Sequence, residues 1–262
     1  MASGSMALIQ FVRSIRPAPL GSATARLLGL ARRRPVEVAE GTFYLSPSSM
    51  LGFALLTDTY EPTMIQVLQK HLFPGATFVD LGANEGFFSV IGSKLVGAGG
   101  SVIAVEPQSR LQPVIQENLY LNGCYNVRLL RTLIMGAAGE FSLSLGTELN
   151  TGSSSVGNPS AVPRRTEPVH GLPLADFVSR VGLTRCDLMK VDIEGAEYEV
   201  FMNSGELLRE GILKKIALEI HNPVLESRGL SGNDLHQFIL SCGYTLDNSL
   251  GPWVYVSNST GS

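Results

Sequence analysis

At 262 residues and 44% hydrophobic content, the chain has room for one α/β domain with an extension. No apolar run reaches the ~18–20 residues that span a bilayer. Cys124, Cys186 and Cys242 are widely spaced and form no CxxC pair, which argues against a disulfide framework or zinc site and leads us to expect a reducing, cytoplasmic setting.

The net charge of −3 is unevenly spread. Within residues 1–40, six arginines (Arg13, Arg16, Arg26, Arg32, Arg33, Arg34) stand against Glu37 and Glu40, a balance of +4 that leaves −7 for the rest. An acidic body makes nucleic acid an unlikely partner, because phosphate binding draws on Lys and Arg.

In chain order, the first five residues precede a second methionine, Met6, and read as a tag. Residues 7–16 set Leu8, Phe11, Val12 and Ile15 on one helical face, stopped by Pro17 and Pro19. A second short helix is expected over 22–34, ended by Pro35. This Arg-rich, acid-free start fits a helical cap docked on the domain, a transit segment or a membrane-surface helix. Residues 36–45 read as a strand pair turning at Glu40-Gly41, and 61–71 as a helix with Pro62 in its first turn.

Beyond Pro74-Gly75 strands and helices alternate, the pattern of a parallel sheet. Strands are expected over 77–81, 101–106, 127–130, 187–192 and 214–220. Helices are expected over 86–96, 108–121, 174–181, 196–203 and 230–241. A closing antiparallel pair over 244–246 and 253–257 completes a seven-stranded, mostly parallel sheet with helices on both faces. Residues 136–172 break the rhythm. Within them 141–145 suggests a hairpin arm, and 151–163, rich in Ser, Gly and Pro, suggests a mobile lid or an unstructured connection. The expected division is 1–56 as an N-terminal extension and 57–262 as the catalytic domain.

Four motifs carry chemistry. Val79-Asp80-Leu81-Gly82-Ala83-Asn84-Glu85-Gly86 ends the first parallel strand, where open α/β sheets bind ligands. Gly82 and Gly86 allow close backbone approach, while Asp80 would repel a pyrophosphate yet suits the ammonium of a methionine moiety. The spacing also lacks GxGxxG, which weighs against a nicotinamide-dependent enzyme. Glu106, ending the next strand, is placed to accept from ribose hydroxyls. Lys190, Asp192 and Glu194 interrupt a strand that should be apolar on both faces, and Lys190 and Asp192 share one face. Glu219 and His221 end the following strand, and His221 is a ready proton acceptor at neutral pH.

Taken together these motifs resemble the FkbM family of S-adenosylmethionine-dependent methyltransferases. The resemblance rests on Tyr60-Glu61-Pro62, on 78–89, on Glu106-Pro107, on Asn118 with Asn122-Gly123, on 190–197 and on Leu218-Glu219. It implies a Rossmann-like class I methyltransferase fold with S-adenosylmethionine as cofactor. Asp80, Gly82, Asn84 and Gly86 would cradle its methionine end, Glu106 its ribose, and Glu61 would lie beside cofactor or acceptor. Asp192 and Glu194 would border the transfer site. The implied acceptor is a hydroxyl of a sugar, glycoside or secondary metabolite. A non-catalytic binding module of the same fold is the rival reading, and degenerate cofactor residues would mark it.

A neutral hydroxyl needs a base or a metal to become a nucleophile. Asp192, Glu219 and His221 are the candidate bases. Alternatively Mg²⁺ held by Asp192 and Glu219 would lower the hydroxyl's pKa.

Overall fold

The computed structural model describes residues 3–147, 150–152, 154–156, 165–250 and 253–259. The chain opens with two mutually packed helices, α1 (Ser3–Ser14) and α2 (Ala18–Leu27). A hairpin follows, β1 (Arg34–Val38) and β2 (Gly41–Leu45), then helices α3 (Met50–Leu56) and α4 (Pro62–His71). The alternating part begins with β3 (Thr77–Leu81), α5 (Phe87–Val96), β4 (Ser101–Val105), α6 (Gln112–Leu121) and β5 (Val127–Leu130). Short strands β6 (Leu133–Ile134), β7 (Gly139–Ser144), β8 (Ser155–Val156) and β9 (Thr166–Leu172) come next. They lead to α7 (Leu174–Val181), β10 (Leu188–Val191), α8 (Glu197–Met202), α9 (Gly205–Arg209) and β11 (Lys215–Leu218). Last are α10 (Asn222–Ser227), α11 (Gly232–Ser241), β12 (Tyr244–Asp247) and β13 (Trp253–Ser257).

The main sheet has seven strands in the order β12-β13-β11-β10-β3-β4-β5. Strands β11, β10, β3, β4 and β5 are parallel, and β13 and β12 add the antiparallel edge. From β3 the chain builds outward to β4 and β5, then returns to lay β10 on the other side. The switch in strand order therefore falls between β3 and β10, where a crevice opens at the carboxyl ends.

The period-two alternation of the strands sorts two cores. Val79, Leu81, Met189, Val191, Ile216 and Leu218 face α7, α8 and α11, while Phe78, Leu188 and Ala217 face the opposite layer. That opposite layer includes Phe43, Leu45, Leu51 and Leu55, so the hairpin and α3 share a core with β3 and α5.

Several expectations need correction. The second helix ends at Leu27, because a Schellman-type closure around Gly29 brings the Leu30 N–H to the Ala25 carbonyl (2.8 Å). Pro35 does not end that helix; it lies within β1, opposite Tyr44. Helix α1 starts at Ser3, earlier than the expected residue 7. Helices α3, α9 and α10 were not anticipated.

Residues 136–172 form most of a second sheet, ordered β6-β9-β7-β8, over a small core of Leu133, Leu143, Leu145 and Val169. One or two core side chains per strand give too little periodicity to read, and the pairing of β7 with β9 is a tertiary decision. Residues 157–163 of the expected lid lie outside the described residues.

Candidate functional site

The site is built on the carboxyl ends of β3, β4, β10 and β11. At Gly82, φ is +82° and a Cβ would lie 1.8 Å from the Asp192 carbonyl oxygen, so only glycine lets the β3 turn close against β10. A cavity of about 460 Å³ opens there, lined among others by Gly82, Asn84, Glu106, Gln108, Asp192 and Glu194. Gly86 is not among its walls. It starts α5 at φ +83°, and a Cβ there would press on Ile115 of α6 at 3.0 Å.

Glu106 is nearly sealed from solvent and accepts from the backbone N–H groups of Asn84 and Gln108, both at 2.9 Å. Burial nevertheless outweighs these bonds and pushes its carboxyl up to about 7.

Asp80 sits lower than expected. Continuing the Phe78 face of β3, it is fully buried, takes a hydrogen bond from the Ser89 hydroxyl (2.6 Å), and does not line the cavity. Lys190 is its register partner on β10, with Nζ 4.0 Å from Asp80 Oδ1 and 3.3 Å from Asp192 Oδ2. Lys190 is itself 1% exposed and lies over the Phe88 ring at 5.1 Å. Burial opposes its charge, but Asp192, Asp80 and Glu61 prevail and hold its ammonium above the usual lysine range. Lys190 and Asp80 thus pair beneath the Gly82–Glu106 cavity and do not line it.

A second cavity, about 520 Å³, is lined by Glu61, Glu219, Asn222, Leu250 and Trp253 among others. Glu61 therefore belongs to this second chamber and not to the Gly82–Glu106 cavity. Its backbone is left-handed (φ +39°), as is that of Glu194 (φ +54°), conformations that non-glycine residues rarely adopt. Burial raises the carboxyls of Glu61 and Glu219, and that of Glu194 to about 7.

His221 follows β11 and faces three carboxylates. Its Nδ1 lies 2.8 Å from Glu197 Oε1, and its Nε2 lies 3.7 Å from Asp192 Oδ1 and 3.6 Å from Glu194 Oε2. Burial lowers its pKa, yet the bond to Glu197 and the surrounding carboxylates more than offset this and carry it to about 9.

Sequence reasoning missed the ties that hold the glycine turn. Arg33 forms a two-pronged pair with the buried Glu85 (2.6 and 2.8 Å) and also donates to the Tyr44 carbonyl. Asn118 joins the same turn to the hairpin, donating to the Glu85 carbonyl (2.7 Å) and accepting from the Tyr44 N–H (2.6 Å). The Thr151 hydroxyl donates to Asn84 Oδ1 (2.9 Å), and its carbonyl accepts from Gln108 (3.0 Å). Arg33 offered no local signal; Asn118 did, within the family resemblance.

A switch point walled by a glycine turn, with a carboxylate closing the adjacent strand, defines a Rossmann-like class I methyltransferase fold. The family model described as the methyltransferase FkbM domain matches residues 80–246, and the chain belongs to that family. S-adenosylmethionine is the methyl donor of such methyltransferases.

Among solved structures, an FkbM methyltransferase from Methylobacillus flagellatus is similar at 16% identity and TM-score 0.48, covering 91% of this chain and 60% of that one. An S-adenosylmethionine-dependent methyltransferase from Aquifex aeolicus is similar at 16% identity and TM-score 0.41, covering 76% and 93%. A ribosomal protein L11 methyltransferase from Acetivibrio thermocellus is 35% identical over 85 residues, 32% of this chain and 26% of that relative's length.

Proposed function

We propose that the chain transfers a methyl group from S-adenosylmethionine to a hydroxyl oxygen of a small acceptor, a sugar or hydroxylated metabolite. The observation that carries this reading is the row of carboxylates at the ends of β10 and β11, which runs from the Glu106 cavity to the second chamber. When bound, the donor supplies an electrophilic methyl on a sulfonium, so the protein's task is alignment and removal of the acceptor proton.

The donor fits the first cavity by its chemistry. Glu106 would accept from the ribose hydroxyls, the turn at Gly82 and Asn84 would hold the amino-acid end, and Asp192 and Glu194 would face the reacting end. The acceptor would enter the second chamber, its ring against Trp253 and its hydroxyls near Glu61 and Glu219. Glu219 and Asp192 are the proposed bases, and Lys190 keeps Asp192 fixed from below.

Two measurements test the assignment. S-adenosylhomocysteine should bind the purified protein in calorimetry, with Glu106→Ala weakening it by about 1–3 kcal/mol. Because Glu106 must be ionised to accept both hydroxyls, affinity should rise about tenfold per pH unit up to about 7 and level off above it. Glu106→Gln should flatten that rise. An unchanged profile in the variant would remove Glu106 from the ribose.

Turnover on a panel of glycosides with labelled donor should fall about 10²–10⁴-fold in Asp192→Asn or Glu219→Gln, with homocysteine-product affinity retained. Full turnover in both variants would overturn the role of this edge.

A metal-assisted route is a second reading, favoured by one feature. Ligand atoms of Asp192, Glu194 and His221 lie within 4.8 Å of one another, the only such group among the described residues. Asp192 stands with Glu194 and His221 in that group, and a histidine in the set suits a transition ion better than Mg²⁺. Chelator treatment that abolishes turnover, restored by added divalent ion, would select this route.

A further inference from the structure

Helices α1 and α2 are apolar on two sides. Ile9, Val12 and Ala25 are fully buried, and α1 packs against α2. Arg13 ties the pair to the domain by donating to the Ser48 and Ser49 carbonyls, with its guanidinium 4.8 Å from the centre of the Phe53 ring. Yet Leu8 and Phe11, one turn apart on α1, point outward, and Phe11 is 63% exposed. On α2 and just after it Leu20, Leu27 and Leu28 are exposed as well, Leu27 at 87%.

Five of the ten large exposed apolar side chains among the described residues thus fall within residues 8–28. A surface helix ordinarily turns charged or polar side chains outward. The same segment exposes Arg16 and Arg26, the residues just after it expose Arg32 and Arg34, and no acid precedes Glu37.

We propose that this face binds an anionic lipid surface, with the leucines and Phe11 inserted at the headgroup boundary and the arginines on the phosphates. Charge decides the occupant. Two copies meeting symmetrically here would bring their arginines together, and a nucleic acid would leave Leu27 and Phe11 without a use. A lipid surface takes both the apolar and the cationic groups. No helix among the described residues is long and apolar enough to cross a membrane, so the contact is peripheral. The inference is independent of the acceptor, since this face lines neither cavity.

The test is co-sedimentation of the full chain with vesicles of phosphatidylcholine, with and without phosphatidylglycerol. The protein should pellet with the anionic vesicles, at least about tenfold more weakly with phosphatidylcholine alone, and should be released by salt. The double variant Phe11→Ser, Leu27→Ser should weaken vesicle binding at least about tenfold, because burying such side chains drives insertion. Its melting temperature and S-adenosylhomocysteine affinity should stay as in the parent, since both side chains are exposed.

No binding to anionic vesicles, or equal binding by the double variant, would overturn the proposal. So would a dimer, seen by light scattering, that the double variant loses while neither protein binds vesicles. Binding to RNA that exceeds vesicle binding would overturn it too.

Discussion

Lys190→Met is expected to cost about 3–5 kcal/mol of folding stability, the scale for stranding one partner of a buried charge group. For a domain of this size the loss corresponds to a melting temperature lower by roughly 6–20 °C. Lys190, itself sealed, lies between the buried Asp80 and the partly exposed Asp192, and removing its ammonium leaves Asp80 with Ser89 but no counter-charge.

The sign of the pH dependence follows. Without Lys190, Asp80 can relieve the burial only by taking a proton, so the variant should be least damaged in acid and lose more stability as pH rises. Asp80→Asn placed on top of Lys190→Met should recover part of the loss, because it removes the stranded charge. Thermal melts of the two single variants and the double, at acid and neutral pH, check this. A Lys190→Met protein that melts like the parent but fails to turn over would show that the lysine acts on the reactants rather than beneath them.

Arg33→Ala is expected to cost about 3 kcal/mol, again because a buried carboxylate, here Glu85, loses its counter-charge. The partial exposure of Arg33 keeps the figure at the low end of that range. The consequence for function is of a different kind. Glu85 belongs to the turn that walls the Glu106 cavity, so the variant should also bind S-adenosylhomocysteine more weakly, although Arg33 is not among the residues lining that cavity. Arg33→Lys keeps the charge but not the two-pronged geometry, and should recover stability more fully than affinity. Chemical denaturation and calorimetry on the same two variants separate the effects. If Arg33→Ala leaves affinity at the parental value, the hairpin does not position the turn.

Local chemistry made the sheet legible. β3, β5 and α7 fall on their expected residues, and the apolar alternation with glycine-marked turns announced a mostly parallel seven-stranded arrangement. The same holds for the residues of the candidate site. Charges at Asp80, Lys190, Asp192 and Glu219 stand out because burial penalises them, and a penalty of that size is visible in one strand without its neighbours.

What each charge does was not legible, because that depends on depth and on partners distant in sequence. Asp80 and Lys190 lie under the site rather than in it. His221 is held towards its charged form because Glu197 at the start of α8, and Asp192 and Glu194 in the loop after β10, converge on it. Glu61 shares a chamber with Glu219 across 158 residues of sequence.

Apart from the arm expected over 141–145, which falls on β7, the second sheet was illegible, as was the Arg33–Glu85 tie, for a related reason. A strand with one or two core side chains, or a single arginine in a run of three, carries no periodic signal. Its partner is chosen only when the whole chain packs. By itself the sequence determined which residues could be buried and which turns the backbone would take, since these are properties of single segments. Only the tertiary structure decided which charges meet, and with them the proton each one holds.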